Sequence, residues 1–542
     1  MKVKKTGKKW EYKLDEYSKK AIEIAKAKGL PVTCRCGETP GGTKHIGNFN
    51  DNMRSYFLYL IIKRKGYPAR HVQTRDNLDP FRKLPWGFAD LNKKWHVSTE
   101  ELQQKYDKYV GTPLFFMPDP LGCCKNYAEH FRKIYEGECA EMGLTDTKYF
   151  STEELYRTGK FNPYLKKIFE NISVASKIDT SIESTKPKGY VPVWVICEKC
   201  RKITGKITKI MLKEEKVEYV CSDRNLTSKY CAYGCGHAGV TDWKNGKTKM
   251  DWEFEWPAQM LMLQTTIEPF GKEHYIGSWP FATKVITEVY KEEIPFGYYY
   301  EYFLIKGQKM ATRHGNVITL TQLMEILEPE VIRFLYTKRW KVQRNLDLTR
   351  IFRLVDEFDR AERIYFGLEK AKNAKEETKL KKGYELAMLF KIPKQAPEKI
   401  SYRNSAFIAQ SNPPKKFKGA VEEFSDFNKS TKNRLLLAKK WAESYAIKEF
   451  KVALLKENNN LKKSLNENQK KILRSFHDFF SKNRSEEEIW SKIKSVVKAE
   501  KISLKELFNL FYKILFGKDH GPNLPRFLSF QKTSDVKNLL KV

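Results

Sequence analysis

The feature that most constrains the fold is a glycine-rich turn between an apolar run and an amphipathic segment. Residues 37–48 read Gly-Glu-Thr-Pro-Gly-Gly-Thr-Lys-His-Ile-Gly-Asn; an apolar run at 30–33 precedes them, and apolar residues follow at helical spacing from 53 to 61. A strand, a glycine turn and a helix in this order point unpaired backbone N–H groups toward a phosphate. The turn therefore predicts an anion site. Its spacing fits neither a P-loop nor the dinucleotide fingerprint.

Strand and helix signals alternate around this turn. Residues 12–29 predict a helix that ends at Gly29, and residues 69–74 predict a second strand that ends at Asp76. Such alternation is typical of an α/β fold with a parallel sheet, whose ligands bind at the carboxyl ends of the strands. We therefore expect the glycine turn and Asp76 to lie on the same edge of the sheet.

Charge and hydropathy narrow the class of protein. Lysine and arginine outnumber the acids by 101 to 66 over 542 residues, a formal charge of +35, which favours a polyanionic partner such as nucleic acid; lysine enrichment from genome composition is the alternative. No apolar run approaches the roughly 20 residues of a membrane span, and the basic start leads into a polar helix. We expect a cytoplasmic protein that does not bind a membrane.

The ten cysteines are too sparse and too clustered for a disulfide scaffold, and two clusters have metal-ligand character. Four donors that suit tetrahedral zinc fall within twelve residues: Asp119, Cys123, Cys124 and His130. On spacing alone, two buried cysteines and an unrelated histidine are an equal alternative.

The second cluster has the spacing of a structural zinc ribbon. Its predicted ligands are Cys197, Cys200, Cys231 and Cys235. Cys221 and His237 stay open as further ligands. The remaining cysteines, Cys34, Cys36 and Cys139, are expected to be small core residues.

Two separated motifs carry a family resemblance. His45-Ile46-Gly47-Asn48 resembles the HIGH-type signature of class I aminoacyl-tRNA synthetases, and residues 39–42, Thr-Pro-Gly-Gly, narrow it to the class I lysyl-tRNA synthetases. Residues 306–317 resemble the KMSKS-type loop of that family. Shorter matches follow the same order, at 76–83, 118–123, 127–131, 356–359 and 517–522. The resemblance covers nearly the whole chain.

The resemblance implies the domain organisation. Residues 1–320 are expected to form a Rossmann-like catalytic domain with a helical insertion at about 105–185 and the zinc ribbon at 186–250. Residues 321–450 are expected to form a helical connecting region, and residues 451–542 an all-α anticodon-binding region. From Leu320 onward the sequence pattern is purely helical.

The resemblance also implies the chemistry. The expected reaction joins lysine and ATP, with Mg²⁺, into lysyl-adenylate and transfers the lysyl group to tRNA(Lys); a monomer is expected. The catalytic residues are His45, Asn48 and Lys309, and the ATP site is formed by His45, Gly47, Asn48, Lys309, Met310 and Arg313. The lysine pocket is formed by Gly37, Thr39, Trp252, His274 and Tyr300. The lysine ammonium needs a carboxylate or a carbonyl, and which group supplies it stays open; the candidate acids are Glu38, Glu273 and Glu301.

The KMSKS-type loop departs from the family pattern. Ala311 stands in place of the usual first serine, Thr312 in place of the second lysine, and Arg313-His314-Gly315 in place of Ser-x-Gly, while cations remain at Lys309 and Arg313. Two alternatives follow: a catalytically impaired RNA-binding relative, which a loop without cations would favour, and a synthetase for another amino acid such as glutamate. Trp252 and Tyr300 argue against glutamate, which an arginine-lined pocket would favour.

Overall fold

A computed structural model describes residues 12–182, 186, 189–310, 317–338, 341–411, 429–447, 450–451, 454–455, 457–519, 521–529 and 531–542. The chain divides into two compact units, described separately below. Unit 1 comprises Met1–Thr321, Arg333–Leu346 and Asn373–Lys391, and unit 2 comprises Gln322–Ile332, Asp347–Lys372 and Ile392–Val542. Within the described ranges, no helix has both the length and the apolar character needed to span a membrane.

The strands all lie in unit 1 and are numbered in chain order. They are β1 Val32–Glu38, β2 Ala69–Arg75, β3 Gly87–Ala89, β4 Trp95–Val97, β5 Thr147–Ser151, β6 Val193–Ile196, β7 Ile203–Met211, β8 Lys216–Cys221, β9 Arg224–Thr227, β10 Tyr230–Ala232, β11 Ala238–Asp242, β12 Thr248–Met250, β13 Ile267–Gly271, β14 Phe296–Tyr300, β15 Phe303–Ile305, β16 Gln308–Lys309 and β17 Arg344–Leu346.

The helices are numbered in the same way. They are α1 Lys13–Ala27, α2 Phe49–Arg64, α3 Glu100–Asp107, α4 Tyr127–Glu141, α5 Thr152–Arg157, α6 Asn162–Glu170, α7 Ile172–Ile182, α8 Trp252–Met262, α9 Lys272–Ile276, α10 Ser278–Lys284, α11 Leu320–Met324, α12 Pro329–Thr337, α13 Phe352–Tyr365, α14 Ala374–Ala387, α15 Tyr402–Ser411, α16 Lys429–Ser444, α17 Asn459–Lys463, α18 Glu467–Phe479, α19 Glu486–Ala499, α20 Leu504–Phe516, α21 Leu524–Ser529 and α22 Thr533–Leu540. Two 3₁₀ turns, Leu114–Phe116 and Leu348–Arg350, and one π-helical turn, Val285–Tyr290, complete the set.

The central sheet of unit 1 confirms the predicted α/β fold. Its five strands are parallel and run in the order β14-β13-β1-β2-β5, so β1 lies in the middle. β1 reads Val-Thr-Cys-Arg-Cys at its start and is buried there on both faces, as expected for a parallel strand covered by helices. Cys34, Cys36 and Cys139 are buried core residues, as predicted. The carboxyl ends of all five strands share one edge.

The predicted strand, turn and helix around the glycine-rich segment are confirmed. β1 ends at Glu38 and α2 begins at Phe49, so residues 39–48 form the connection. α1, predicted at 12–29, spans Lys13–Ala27. Gly29 follows it two residues later, with a φ of +64° that glycine adopts without strain. The predicted second strand is β2, which ends one residue before Asp76.

The insertion predicted at 186–250 is a separate antiparallel sheet. Its strands run in the order β11-β8-β7-β6-β12, and the β9–β10 hairpin stands beside them. Among the described residues after Leu320, one strand interrupts the purely helical pattern that the sequence predicts: β17 pairs in parallel with β15 and completes a small three-stranded sheet with β16. This strand of three residues is too short for its alternation to stand out in the sequence.

The described part of unit 2 is all helical, as predicted. α18, α19 and α20 each begin with a capping box, in which an Asn or Ser side chain and a Gln or Glu three residues later bond each other's backbone N–H groups. Their apolar faces form one core that includes Phe476, Phe480 and Phe511. Trp490 packs against this core next to Phe508. These aromatic residues therefore stabilise the helices rather than stand out toward solvent.

Candidate functional site

A cleft of about 1280 Å³ opens at the carboxyl edge of the central sheet. Gly37 near the end of β1 and Thr39 and Asn48 in the connection after it form one side. Trp252, Trp256 and Gln259 of α8 form another. Asp76 follows β2, Glu268 lies on β13, and His274 lies in α9, just after β13. Residues 223–228 around β9 close the cleft. The sheet edge thus brings the glycine turn and Asp76 together, as the alternating pattern predicted.

His45 is held in one tautomer by the backbone after it. Its Nδ1 accepts hydrogen bonds from the N–H groups of Gly47, at 3.0 Å, and Asn48, at 3.3 Å, so its ring proton is on Nε2. Burial, with Lys44 and Lys309 nearby, lowers the pKa of His45 to about 4. Gly47 makes this arrangement possible, since a Cβ there would lie 2.7 Å from His45 Cε1. His45 is therefore a neutral Nε2–H donor at pH 7.

The second signature motif is tied to the first by the main chain. The Ile46 N–H donates to the Ile318 carbonyl at 3.0 Å, and His45 and Thr319 form an isolated antiparallel bridge. Met310 is buried, and its Cε lies 3.4 Å from the position of a Cβ on Gly47. The two motifs, far apart in sequence, are therefore neighbours.

Lys309 is the predicted cation of the second motif. Its Nζ lies 3.3 Å from Glu273 Oε1 and 3.9 Å from the centre of the Tyr302 ring. The side chain is about half exposed, so its ion pair with Glu273 is weak and exchangeable. Arg313 and the rest of 311–316 lie outside the described residues.

The aromatic wall of the cleft is built on the first two turns of α8. The indoles of Trp252 and Trp256 stack with centroids 5.1 Å apart and planes at 12°, and His274 lies 5.4 Å from Trp252. Asp251, just before α8, accepts from Arg224 at 2.6 Å and from Tyr190 at 2.5 Å. Burial would raise the pKa of Asp251, but Arg224 and Lys186 hold it below its usual value. Residues of the insertion thus anchor the start of α8.

Tyr300, predicted in the lysine pocket, is set back from the cleft. It is a buried residue whose hydroxyl donates to Asp51 Oδ1, and Asp51 is the residue that lines the cleft at this point. Burial, with Glu273 and Glu268 nearby, raises the pKa of Asp51 to about 8. Asp51 is therefore mainly protonated at pH 7. The sequence did not reveal this protonation state.

A buried polar network forms the floor of the cleft. Arg35 on β1 pairs with Glu268 on β13 and donates to Gln259 and Thr74. Gln259 Nε2 in turn donates to Asp76 Oδ1 at 2.8 Å and to Glu255 Oε1 at 3.1 Å. The network continues through buried residues at these distances: Lys249 to Glu255 at 2.7 Å and Lys249 to Asp79 at 3.3 Å. Charged groups are tolerated in the interior here because they are paired.

The first predicted metal group comes together in space. Asp119, Cys123, Cys124 and His130 place their ligand atoms within 4.8 Å of one another. Cys123 Sγ lies 3.3 Å from His130 Nδ1, and Asp119 Oδ1 lies 3.1 Å from the same nitrogen. His130 Nε2 donates to the Ala89 carbonyl at 3.0 Å, so Nδ1 is left to face the other donors.

The second metal group differs from the prediction in one ligand. Its members are Cys197, Cys200, Cys221 and Cys235, again within 4.8 Å of one another, and Cys231 lies outside it. Cys221 ends β8, next to Gly205 of β7, and its Sγ lies 3.6 Å from Cys200 Sγ. Cys231 instead pairs with Asn225 in the β9–β10 hairpin. The His237 N–H lowers the pKa of Cys235 to about 7, which favours the thiolate that a metal needs.

Comparisons with known proteins decide the family. The family model described as tRNA synthetases class I (K) matches residues 8–389. The chain belongs to this family. It is 31% identical over 510 residues to a lysine–tRNA ligase of Haloarcula marismortui, covering 92% of this chain and 91% of that protein. A lysine–tRNA ligase of Pyrococcus furiosus is 32% identical over 527 residues, covering 91% and 92%.

A solved structure of another tRNA ligase is less similar to this chain in sequence. The glutamate tRNA ligase of Elizabethkingia meningosepticum has 12% identity and a TM-score of 0.42, with 94% of this chain and 98% of that one covered. The family assignment confirms the resemblance that the two signature motifs carried.

Within this class I (K) synthetase, most of the sequence-predicted residues lie either on the cleft or at the contact between the two motifs. Gly37, Thr39, Asn48, Trp252 and His274 line the cleft. His45, Gly47, Lys309 and Met310 lie around the contact between the two motifs. None of the three acids left open is unengaged, because each pairs with a lysine: Glu38 with Lys44, Glu273 with Lys309 and Glu301 with Lys272.

Sequence reasoning missed Glu268. It lies inside an apolar strand, Ile-Glu-Pro-Phe-Gly, all of which is buried. A charged residue within a buried strand is expensive unless it is paired, and this signal was present in the sequence. Asp51 carried no such signal, because an acid in the first turn of a helix is ordinary.

Proposed function

We propose that the protein is a lysine–tRNA ligase. In the first step, a carboxylate oxygen of lysine attacks the α-phosphorus of ATP, the bond to the β-phosphate oxygen breaks, and pyrophosphate leaves. In the second step, the 2′-hydroxyl of the 3′-terminal adenosine of tRNA(Lys) attacks the carbonyl carbon of lysyl-adenylate, and AMP leaves. The names of the relatives and the cleft geometry both support this assignment.

The observation that carries the proposal is the state of His45 beside the second motif. A neutral histidine with its proton on Nε2 donates to a phosphate oxygen without adding a buried charge, and Lys309 lies on the nearby motif. In this reaction, catalysis consists mainly of holding the reactants in line and stabilising charge on the leaving pyrophosphate. We assign the first task to His45 and Asn48 and the second to Lys309, with Mg²⁺ accompanying ATP.

Lysine suits the cleft better than glutamate. Two of the arginines that line it are already paired with acids, Arg35 with Glu268 and Arg224 with Asp251. The stacked indoles of Trp252 and Trp256 offer apolar faces to an alkyl chain and attract an ammonium group. A glutamate side chain would instead meet the carboxylate of Glu268, which costs binding energy.

Both metal groups fit zinc. Cys197, Cys200, Cys221 and Cys235 form a four-thiolate set, and Asp119, Cys123, Cys124 and His130 form a mixed set with soft and nitrogen donors. We propose a structural Zn²⁺ in each. The ion in the four-cysteine group would fix the antiparallel insertion, and the ion in the Asp119 group would fix the start of α4.

The test is lysine-dependent exchange of pyrophosphate with ATP. His45→Ala and Lys309→Ala should each lower the rate by roughly 10²-fold or more, the usual effect of removing one donor that stabilises developing charge. Lys306→Ala, an exposed lysine in the same hairpin, is the matched control and should have a much smaller effect. Folded protein that exchanges with glutamate, or does not exchange even with lysine and tRNA present, would contradict the proposal.

A further inference from the structure

One oxygen of the buried carboxyl group of Glu268 has no partner. Oε1 accepts from Trp256 Nε1 at 2.7 Å and pairs with Arg35, whereas Oε2 is buried and has no hydrogen-bond partner among the described residues. Only 3% of Glu268 is exposed, yet it lines the cleft. An unsatisfied carboxylate oxygen in the interior is costly.

Buried oxygens without a hydrogen-bond partner among the described residues also occur in Glu38, Glu138, Glu301 and Glu328. Of these, Glu38 also lines the cleft, but it faces two cations, Lys44 and Arg75, whereas Glu268 faces Arg35 alone, so Glu268 is the acid that a cationic ligand would suit.

The floor of the cleft is short of positive charge. The network of Asp76, Asp79, Glu255 and Glu268 contains four acids, and its cations are two, Arg35 and Lys249. Burial first, and then the neighbouring acids, raise the pKa of Asp76 well above its usual value, and that of Glu255 is also raised. A cationic ligand would correct the balance.

The depth of Glu268 matches a long side chain. Arg35, its partner, precedes Gly37 by two positions on β1, which corresponds to roughly 7 Å at the rise of a parallel strand. An extended lysine side chain covers a comparable length. A side chain at position 37 would point at Thr74 Oγ1, 3.3 Å from its Cβ, and at Arg35 Nη2, 3.5 Å from it. Glycine at this position therefore leaves the path from the edge to the floor open.

We propose that Glu268 Oε2 accepts the ε-ammonium of the lysine substrate, an inference that rests on the proposed function. Arg35 and Trp256 hold the carboxylate in place through Oε1. The alkyl stem of lysine lies along the Trp252–Trp256 wall. Glu268 is thus the specificity-determining acid of the pocket.

The test separates recognition of the ammonium from recognition of the stem. Norleucine has the carbon chain of lysine without the ammonium nitrogen, so its inhibition constant in lysine-dependent exchange measures the stem alone. Glu268→Gln keeps the size of the side chain and the acceptor for Trp256. We expect it to raise the KM for lysine roughly 10- to 100-fold, the effect of losing a hydrogen bond to a charged group, and to leave the norleucine constant within about 3-fold.

Glu255→Gln is the matched control. Glu255 is an equally buried acid of the same network, but it lies off the cleft and both its oxygens are engaged, by Tyr156 and Lys249 on one and Gln259 on the other. Its replacement should change the ratio of the lysine and norleucine constants far less than Glu268→Gln does. Should Glu268→Gln not fold, Glu268→Asp keeps the charge opposite Arg35 and withdraws the carboxylate, so lysine should again weaken and norleucine should not.

Two results would overturn the inference. One is a Glu268 variant that binds lysine as the wild type does; the other is a variant that loses lysine and norleucine by the same factor, because Glu268 would then only support the fold. The wild-type protein provides the separate check of the proposed function. If it exchanges with lysine while the variant behaves normally, only the role of Glu268 fails, whereas a wild type without exchange removes both.

Discussion

Replacing Gly47 by alanine tests the link between the turn and the histidine. The new Cβ would lie 2.7 Å from His45 Cε1 and 2.8 Å from Nδ1, whereas an ordinary contact is 3.4 Å or more. The ring must therefore move by about 0.7 Å, the difference between 3.4 and 2.7 Å. The bonds from Gly47 and Asn48 to Nδ1, now 3.0 and 3.3 Å, would both exceed 3.5 Å if the ring moved directly away.

The expected loss follows from those two bonds. At about 1 kcal/mol each, they contribute about 2 kcal/mol to the orientation and tautomer of His45. If that preference is fully expressed in the transition state, the exchange rate falls roughly 30-fold, because about 1.4 kcal/mol corresponds to a factor of ten. The melting temperature should change little, since α2 begins after this residue and keeps its buried face.

The assay is lysine-dependent pyrophosphate exchange at saturating lysine and ATP, with the melting temperature measured on the same sample. Gly41→Ala is the control in the same turn, because its Cβ would meet nothing closer than 3.9 Å. Its loss should be at least tenfold smaller. Wild-type activity in Gly47→Ala, or an equal loss in both variants, would refute the claim that Gly47 acts through the His45 ring.

Three further predictions concern other parts of the chain. Asp51→Asn should raise the free energy of unfolding more at pH 8.5 than at pH 5. The buried carboxyl group, with its pKa raised to about 8, destabilises the native state most when it is ionised, and below pH 8 the native state relieves this cost by taking up a proton. An equal gain in urea unfolding at both pH values would contradict this. Dialysed protein should contain two zinc ions by elemental analysis; Cys197→Ser and Cys123→Ser should each remove one and Cys231→Ser none, and the loss of one ion from Cys231→Ser would reverse the ligand assignment. Removing residues 392–542 should reduce tRNA charging far more than pyrophosphate exchange in protein shown to be folded by circular dichroism, and an equal loss of both would mean that this segment supports the cleft.

Local patterns made the parallel sheet and the signature turn predictable. The turn was predictable from local sequence, because the glycines, His45 and the start of a helical pattern lie close together in the chain. The capped helices of unit 2 were equally readable, since each cap is a bond between residues three apart.

The features that sequence did not reveal depend on pairings between distant segments. Cys221 replaces Cys231 because β8 lies beside β7, and spacing along the chain carries no record of that neighbour. Glu268 pairs with Arg35, 233 positions away in the sequence, and Asp51 accepts a hydrogen bond from Tyr300, 249 positions away. Each contact is set by the strand order, which a periodicity argument does not supply.

The strand order also bears on the synthesis of the chain. β1 pairs with β2 soon after both are made, but its other edge is covered only by β13, which begins at Ile267. At typical elongation rates of 5–20 residues per second, the 229 residues from Glu38 to Ile267 take on the order of 10 to 50 s to translate. During that time, the central strand of the sheet, which is buried in the finished enzyme, has an open hydrogen-bonding edge, the kind of surface on which unfinished chains associate. Ribosome-bound chains that stop before β13 should therefore depend on chaperones more than the finished protein does.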